Sequence, residues 1–135
     1  MLWESWDCPD GDVKYAFGWD YGRCRVECLG AWPIEYHTEP GQSTIGRMVH
    51  ENSTYDIPLR TLCSKDTPNL FVGGRLTDGD SYAGGSLRVM GTSFGTGHAA
   101  GVAAAVYAQS QGNECISVQK ELVRQNAHIK PDQDA

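Results

Sequence analysis

The stretch 88-RVMGTSFGTGHAAGVAAAVYAQ-109 is built almost wholly from small residues once past its first turn, with glycines at 95, 97 and 101. We read it as a helix from about Thr92 to Gln111. Each glycine costs a helix about 1 kcal/mol relative to alanine, so three of them imply that a backbone or a large flat ligand comes close. Thr92 or Ser93 is placed to cap the start by accepting a hydrogen bond from an unpaired amide. No acidic residue occurs between Asp80 and Glu114, although the chain carries a net charge of −6. The only cation ahead of the helix in that interval is Arg88. A helix start carries about +0.5 of a charge, and without a competing carboxylate it suits an electronegative ligand group. The plainer alternative is a buried helix whose small residues serve close packing.

Upstream, 69-NLFVGGR-75 reads as a short apolar strand over 69–74, buried on both faces as in an α/β sheet and ending in a glycine pair. The segment 55-YDIPLRTL-62 reads as extended, because Pro58 biases Ile57 away from helix. Downstream, 117-SVQKELVRQNAHI-129 has the spacing of an amphipathic helix with Val118, Leu122 and Ile129 on one side and Ser117 as its N-cap. Residues 1–54 lack sustained periodicity, hold all four tryptophans and contain the short alternating segments 13-VKYAF-17 and 23-RCRVECL-29. Pro33, Pro40 and Gly41 punctuate an irregular connection through 30–42. Aromatics in such loops pack beneath them or line a ligand cavity. The chain divides into a loop- and strand-rich segment (1–54), an α/β segment (55–129) and a tail (130–135).

At 135 residues the chain is one domain at most. No apolar run approaches the roughly 20 residues of a membrane span, and the acidic, aromatic start is unlike a secretory signal. The net negative charge, without a Lys/Arg cluster, excludes a grip on a nucleic-acid backbone. Five irregularly spaced cysteines, with only Cys24 and Cys28 four apart, match no zinc site. We expect reduced thiols, a cytoplasmic protein and no metal.

Read from Gly91, the opening stretch resembles the nucleophile block of subtilisin-like proteases, with Gly91-Thr92-Ser93 followed by His98 and Ala100-Gly101. That block normally continues through a Pro-His step, whereas Gly97 precedes His98 here. A serine nucleophile also needs a histidine base and an orienting carboxylate. His37, in 35-EYHTE-39, and His50, in 49-VHENS-53, match neither of the contexts that supply them in that family.

Read from Arg88, the same stretch resembles the closing helix of bacterial FAD-dependent oxidoreductases related in fold to fumarate reductase flavoproteins. The pieces 55-YDIPLRTL-62, 69-NLFVGGR-75, 85-GSLRVM-90, 97-GHAAGVAAA-105 and 119-QKELVRQNAHI-129 follow in that family's order, with 30-GAWPIEYH-37 a weaker match ahead of them. The resemblance implies an α/β fold, the C-terminal part of a Rossmann-type FAD-binding domain made of its last strand and a small-residue helix. It implies FAD as cofactor and hydride transfer to or from a small-molecule substrate of unknown identity. It places Gly73, Gly74 and Arg75 beside the ribityl and pyrophosphate portion, and Arg88, Val89, Met90 and Thr92 beside the flavin ring. Candidate groups on the substrate side are His37 and Arg60. In this reading Ser93 is a cap, and His98 packs or hydrogen-bonds from the helix to the sheet.

The family's dinucleotide fingerprint, a glycine-rich turn between strand and helix with an acidic residue further on, has no counterpart in this context. The glycine-rich 91-GTSFGTG-97 follows a turn instead. The chain therefore carries half of an FAD site, as a C-terminal fragment or a small subunit, with a chain or segment bearing the dinucleotide-binding half as partner. A non-catalytic truncated domain acting as a partner subunit is the alternative.

Overall fold

Two-stranded antiparallel pairs and three helices make up the described part of the computed structural model, which covers residues 28–36, 45–47, 55–77, 79, 81–110 and 115–129. Strand β1 (Cys28–Gly30) pairs with β4 (Tyr55–Ile57), setting Cys28 opposite Ile57 and Gly30 opposite Tyr55. Strand β2 (Ile34–Tyr36) pairs with β3 (Ile45–Arg47). Pro58 ends β4, and a 3-10 turn over Leu59–Leu62 follows, so 55–62 is extended only in its first half. The short segment 13–17, most of 23–29, His37, His50 and the tail 130–135 lie outside the described residues.

The expected buried strand over 69–74 is not there. Asn69 and Leu70 are exposed in a turn, with the Leu70 N–H donating to Thr67 O at 3.0 Å. Phe71 makes a lone antiparallel bridge to Cys63, flanked by Ser64 N–H to Leu70 O (2.9 Å) and Val72 N–H to Leu62 O (2.8 Å). Pro68 and its neighbours fold the chain back on 62–64, which uses the segment's hydrogen bonds locally instead of in a parallel sheet. Gly74 then adopts φ 61 and starts a 3-10 turn through Leu76. That left-handed backbone is open to glycine at little cost, and it turns the chain before a strand can lengthen.

Helix α1 (Ser81–Leu87) has no signal in the sequence, because Gly84 and Gly85 lower its propensity. Tertiary contact makes it: a Cβ on Gly85 would stand 2.7 Å from Glu35 O, so glycine lets α1 lie directly on β2. Ala83, Ser86 and Leu87 are buried beneath it.

Helix α2 (Met90–Ser110) is the expected small-residue helix, beginning two residues earlier than read. It packs on β1 and on both 3-10 turns rather than on an extended sheet. Gly95 faces Cys28 so closely that a side chain there would collide with its sulfur. Further along, Phe71 and Tyr107 meet edge to face with centroids 6.0 Å apart. Helix α3 (Cys115–Arg124) starts two residues before Ser117, which is therefore not its cap. Its end comes before Ile129 as well. Asn126 takes φ 58, with Asn126 N–H bonded to Val123 O and Ala127 N–H bonded to Leu122 O at 2.9 Å. This is a Schellman ending with asparagine in the left-handed position. Val118, Leu122 and Ile129 still share one core with Ala99, Val102, Ala103, Ile57, Leu62 and Leu87. Cys28 and Cys63 are thiols, but Cys115 is in a disulfide, contrary to the expected set of reduced cysteines.

Candidate cofactor groove

Because α2 begins at Met90, its opening turn differs from the cap drawn from the sequence. The Ser93 N–H closes the first turn on Val89 O at 2.9 Å, and the Ser93 hydroxyl donates to the same oxygen at 2.9 Å. Neither Ser93 nor Thr92 caps. Serine at this position bonds back to the carbonyl four residues earlier, a standard competitor of capping. The amides of Met90, Gly91 and Thr92 come before that first bond and have no acceptor within the helix.

These amides border a groove of about 1040 Å3, lined by Leu29, Ala31, Trp32, Arg75 and the run Arg88–Thr92. Ligand pockets span about 300–1,000 Å3, so the groove is large enough for an extended ligand. Among the described residues the lining carries two guanidinium groups and no carboxylate. With the positive end of α2 facing it, the groove favours electronegative groups. Met90 is 81% exposed at its edge.

The structure thus brings Arg75, Arg88, Val89, Met90 and Thr92 into one cavity. Gly73 and Gly74 stand against the next turn of α2, outside the lining. Gly74 N–H donates to the Thr96 hydroxyl at 2.8 Å, and that hydroxyl donates in turn to Thr92 O at 3.0 Å. A Cβ on Gly73 would lie 2.9 Å from Gly97 N, so here backbone meets backbone. The two glycines dock the Arg75 turn on α2 and thereby aim Arg75 at the groove. Arg60 is half-buried on the 3-10 turn after Pro58 and does not line the groove.

Sequence reasoning passed over Trp32 as a specific groove residue, and a second signal was also missed. The letters 95-GTGHAA-100 fit the dinucleotide pattern G-x-G-x-x-A. They lie inside α2, well past its start, where no strand precedes them and no turn is free to cradle phosphate.

A smaller groove between α2 and α3, of about 660 Å3, is lined in part by Gly97, Gly101 and Ala105. His98 is exposed there and shares a 2.7 Å hydrogen bond with Gln125 Oε1. Gln125 Nε2 donates to Glu121, which also receives a two-pronged bond from Arg124. Those hydrogen bonds, Arg124 first, hold the Glu121 carboxyl down at about 2. This network ties α3 to α2, so the exposed His98 bonds from helix to helix and not to a sheet as expected.

Among the described residues no cluster of His, Cys, Asp or Glu suits a metal, and no helix is long and apolar enough to cross a membrane.

A positively biased groove at a helix start, built by a glycine-docked turn and a small-residue helix, is what a nucleotide-type cofactor site asks of its closing segment. A family model described as FAD dependent oxidoreductase matches residues 27–125, and the chain belongs to that family. The matched span takes in every element from β1 through α3. No curated protein and no solved structure gives a significant match.

Proposed function

We propose that this chain supplies the ring-side part of an FAD site in an oxidoreductase that transfers hydride between a small organic substrate and the flavin. The observation that carries the reading is the groove at the start of α2, where the first amides of the helix, Arg75 and Arg88 come together with no carboxylate among the described lining residues, within a span that matches the FAD family model. Bound FAD would supply the hydride-exchanging ring; the residues here bind and bias it. The amides around Val89 to Thr92 would hold the electronegative edge of the ring, Arg88 would add positive charge there, and Arg75 would hold the phosphate portion. Gly73 and Gly74 keep that turn seated. A further polypeptide segment supplying the dinucleotide-binding half is part of this reading, supported by the sequence's lack of the family's glycine-rich strand-to-helix fingerprint.

The test is purification of the protein with whatever polypeptide accompanies it from its source. Flavin absorbance in that preparation, bleached by a reductant and lost in an Arg75/Arg88 double charge reversal, supports the reading. A preparation without flavin, and without flavin uptake on reconstitution with FAD, refutes it.

A further inference from the structure

Trp32 is 47% exposed, yet the loop that carries it is tied into the core by a directed chain of hydrogen bonds. The fully buried Ser86 hydroxyl donates to Trp32 O at 2.6 Å. Since that uses its only hydrogen, the 2.6 Å contact between Ser86 and Tyr55 must run from the tyrosine hydroxyl to the serine oxygen. The order is Tyr55 to Ser86 to the Trp32 carbonyl. Trp32 belongs to the β1–β2 connection and lines the same groove as Thr92 in the opening turn of α2. The chain therefore braces the Trp32 wall of the groove against the core, through residues far apart in sequence. Pro33 stiffens the loop from the other side of Trp32.

An exposed indole needs no such strut to stay folded. Fixing its loop in a groove that a row of amides also borders makes sense for a ligand with a flat aromatic face and an electronegative edge, so that stacking and hydrogen bonding act on one ring together. We propose that Trp32 is a ligand-contacting residue of this groove, the aromatic wall against which the flavin ring stacks, and that Tyr55 and Ser86 are positioning residues that hold the Trp32 loop in place. The proposal rests on the flavin reading of the groove.

Lumiflavin, the flavin ring without ribityl chain or phosphates, separates this claim from the rest of the FAD site. Titrated with the full chain, it binds and loses fluorescence, since a stacked indole quenches flavin emission by electron transfer. Trp32→Ala weakens binding about tenfold, as expected for loss of one stacking partner, and abolishes the quenching. Trp32→Phe keeps affinity within about threefold and loses most of the quenching. Tyr55→Phe leaves the circular dichroism of the fold in place but lowers both affinity and quenching, because Trp32 remains present and loses its register. Lumiflavin binding and quenching that survive Trp32→Ala overturn the Trp32 assignment and leave the groove as a flavin site. Failure of the wild-type chain to bind lumiflavin overturns the assignment and the flavin reading of the groove together.

Discussion

Gly73→Ala tests whether the turn before Arg75 is docked by direct backbone contact. The added Cβ would meet Gly97 N at 2.9 Å and both Gly97 Cα and the Thr96 carbonyl carbon at 3.0 Å, where ordinary contact is 3.4–4 Å. All three atoms are backbone of a helix and cannot rotate away. Either the 71–74 segment lifts from α2 by several tenths of an ångström or the Gly74 N–H to Thr96 bond of 2.8 Å opens. Overpacking of this kind costs about 1–3 kcal/mol, and loss of a buried hydrogen bond about 0.5–1.5 kcal/mol. Alanine offsets about 0.4–1 kcal/mol by restricting the unfolded chain. The expected net loss is about 1–3 kcal/mol, read as a lower urea midpoint in circular dichroism with unchanged slope. Gly97→Ala is the matched control. Its Cβ would meet nothing within 4 Å, so the chain should gain up to about 1 kcal/mol of helix propensity. A Gly73→Ala protein within about 0.5 kcal/mol of wild type would refute the docking argument, and so would equal responses from the two glycines.

Three further outcomes are expected. Asn126→Ala should cost about 1 kcal/mol in the same unfolding assay, because alanine tolerates φ 58 poorly, whereas Asn126→Gly should be neutral or stabilising. Burial pushes the Cys28 thiol from 9.0 up to about 11, so its contribution to stability is complete below pH 9 and is lost as pH rises through 11. That loss is on the order of 2–3 kcal/mol, absent in Cys28→Ala, and unfolding curves at pH 7 and pH 10.5 measure it. Arg88→Glu should lower the reduction potential of the flavin in the reconstituted protein, since a carboxylate replaces a cation where the reduced ring gathers negative charge; an unchanged or higher potential would remove Arg88 from the site.

What was legible in the sequence followed from local physics. The α2 helix announces itself by its small residues, and the bias of its start by a long interval without acid. Both survive in the structure because neither depends on distant partners. The strand drawn over 69–74 failed because an apolar run of that length does not say what it pairs with. Here Leu70 and Val72 found acceptors and donors in 62–64, a few residues back, and Gly74 turned the chain. Helix α1 was invisible for the opposite reason. Its glycines argue against a helix locally, and only contact with the Glu35 carbonyl, remote in sequence, explains Gly85. Trp32 was hidden likewise, since its significance lies in Ser86 and Tyr55, and no spacing rule links 32, 55 and 86.

Ser93 shows how far one residue's role depends on where a helix begins. The letters Gly91-Thr92-Ser93 are shared by a protease nucleophile turn and by a flavoprotein helix start, and composition cannot separate them. With α2 starting at Met90, Ser93 lies inside the first turn, and its only hydroxyl hydrogen is given to Val89 O. A nucleophile must instead give that hydrogen to a base. Of the histidines among the described residues, His98 is bonded to Gln125 and sits more than a helical turn further along α2, and His128 lies beyond the end of α3. Thr92, one residue earlier, is buried and belongs to the groove lining. The two residues therefore separate in consequence. Ser93→Ala removes a back-bond that stabilises little in a helix, so its unfolding free energy should stay within about 0.5 kcal/mol of wild type and flavin binding should be unaffected. Thr92→Val replaces a hydroxyl of the groove lining with a methyl at similar volume and should weaken lumiflavin binding severalfold. If Ser93→Ala proved the more damaging of the two in the lumiflavin titration, the helix start would have been placed wrongly, and the assignment of the groove amides would go with it.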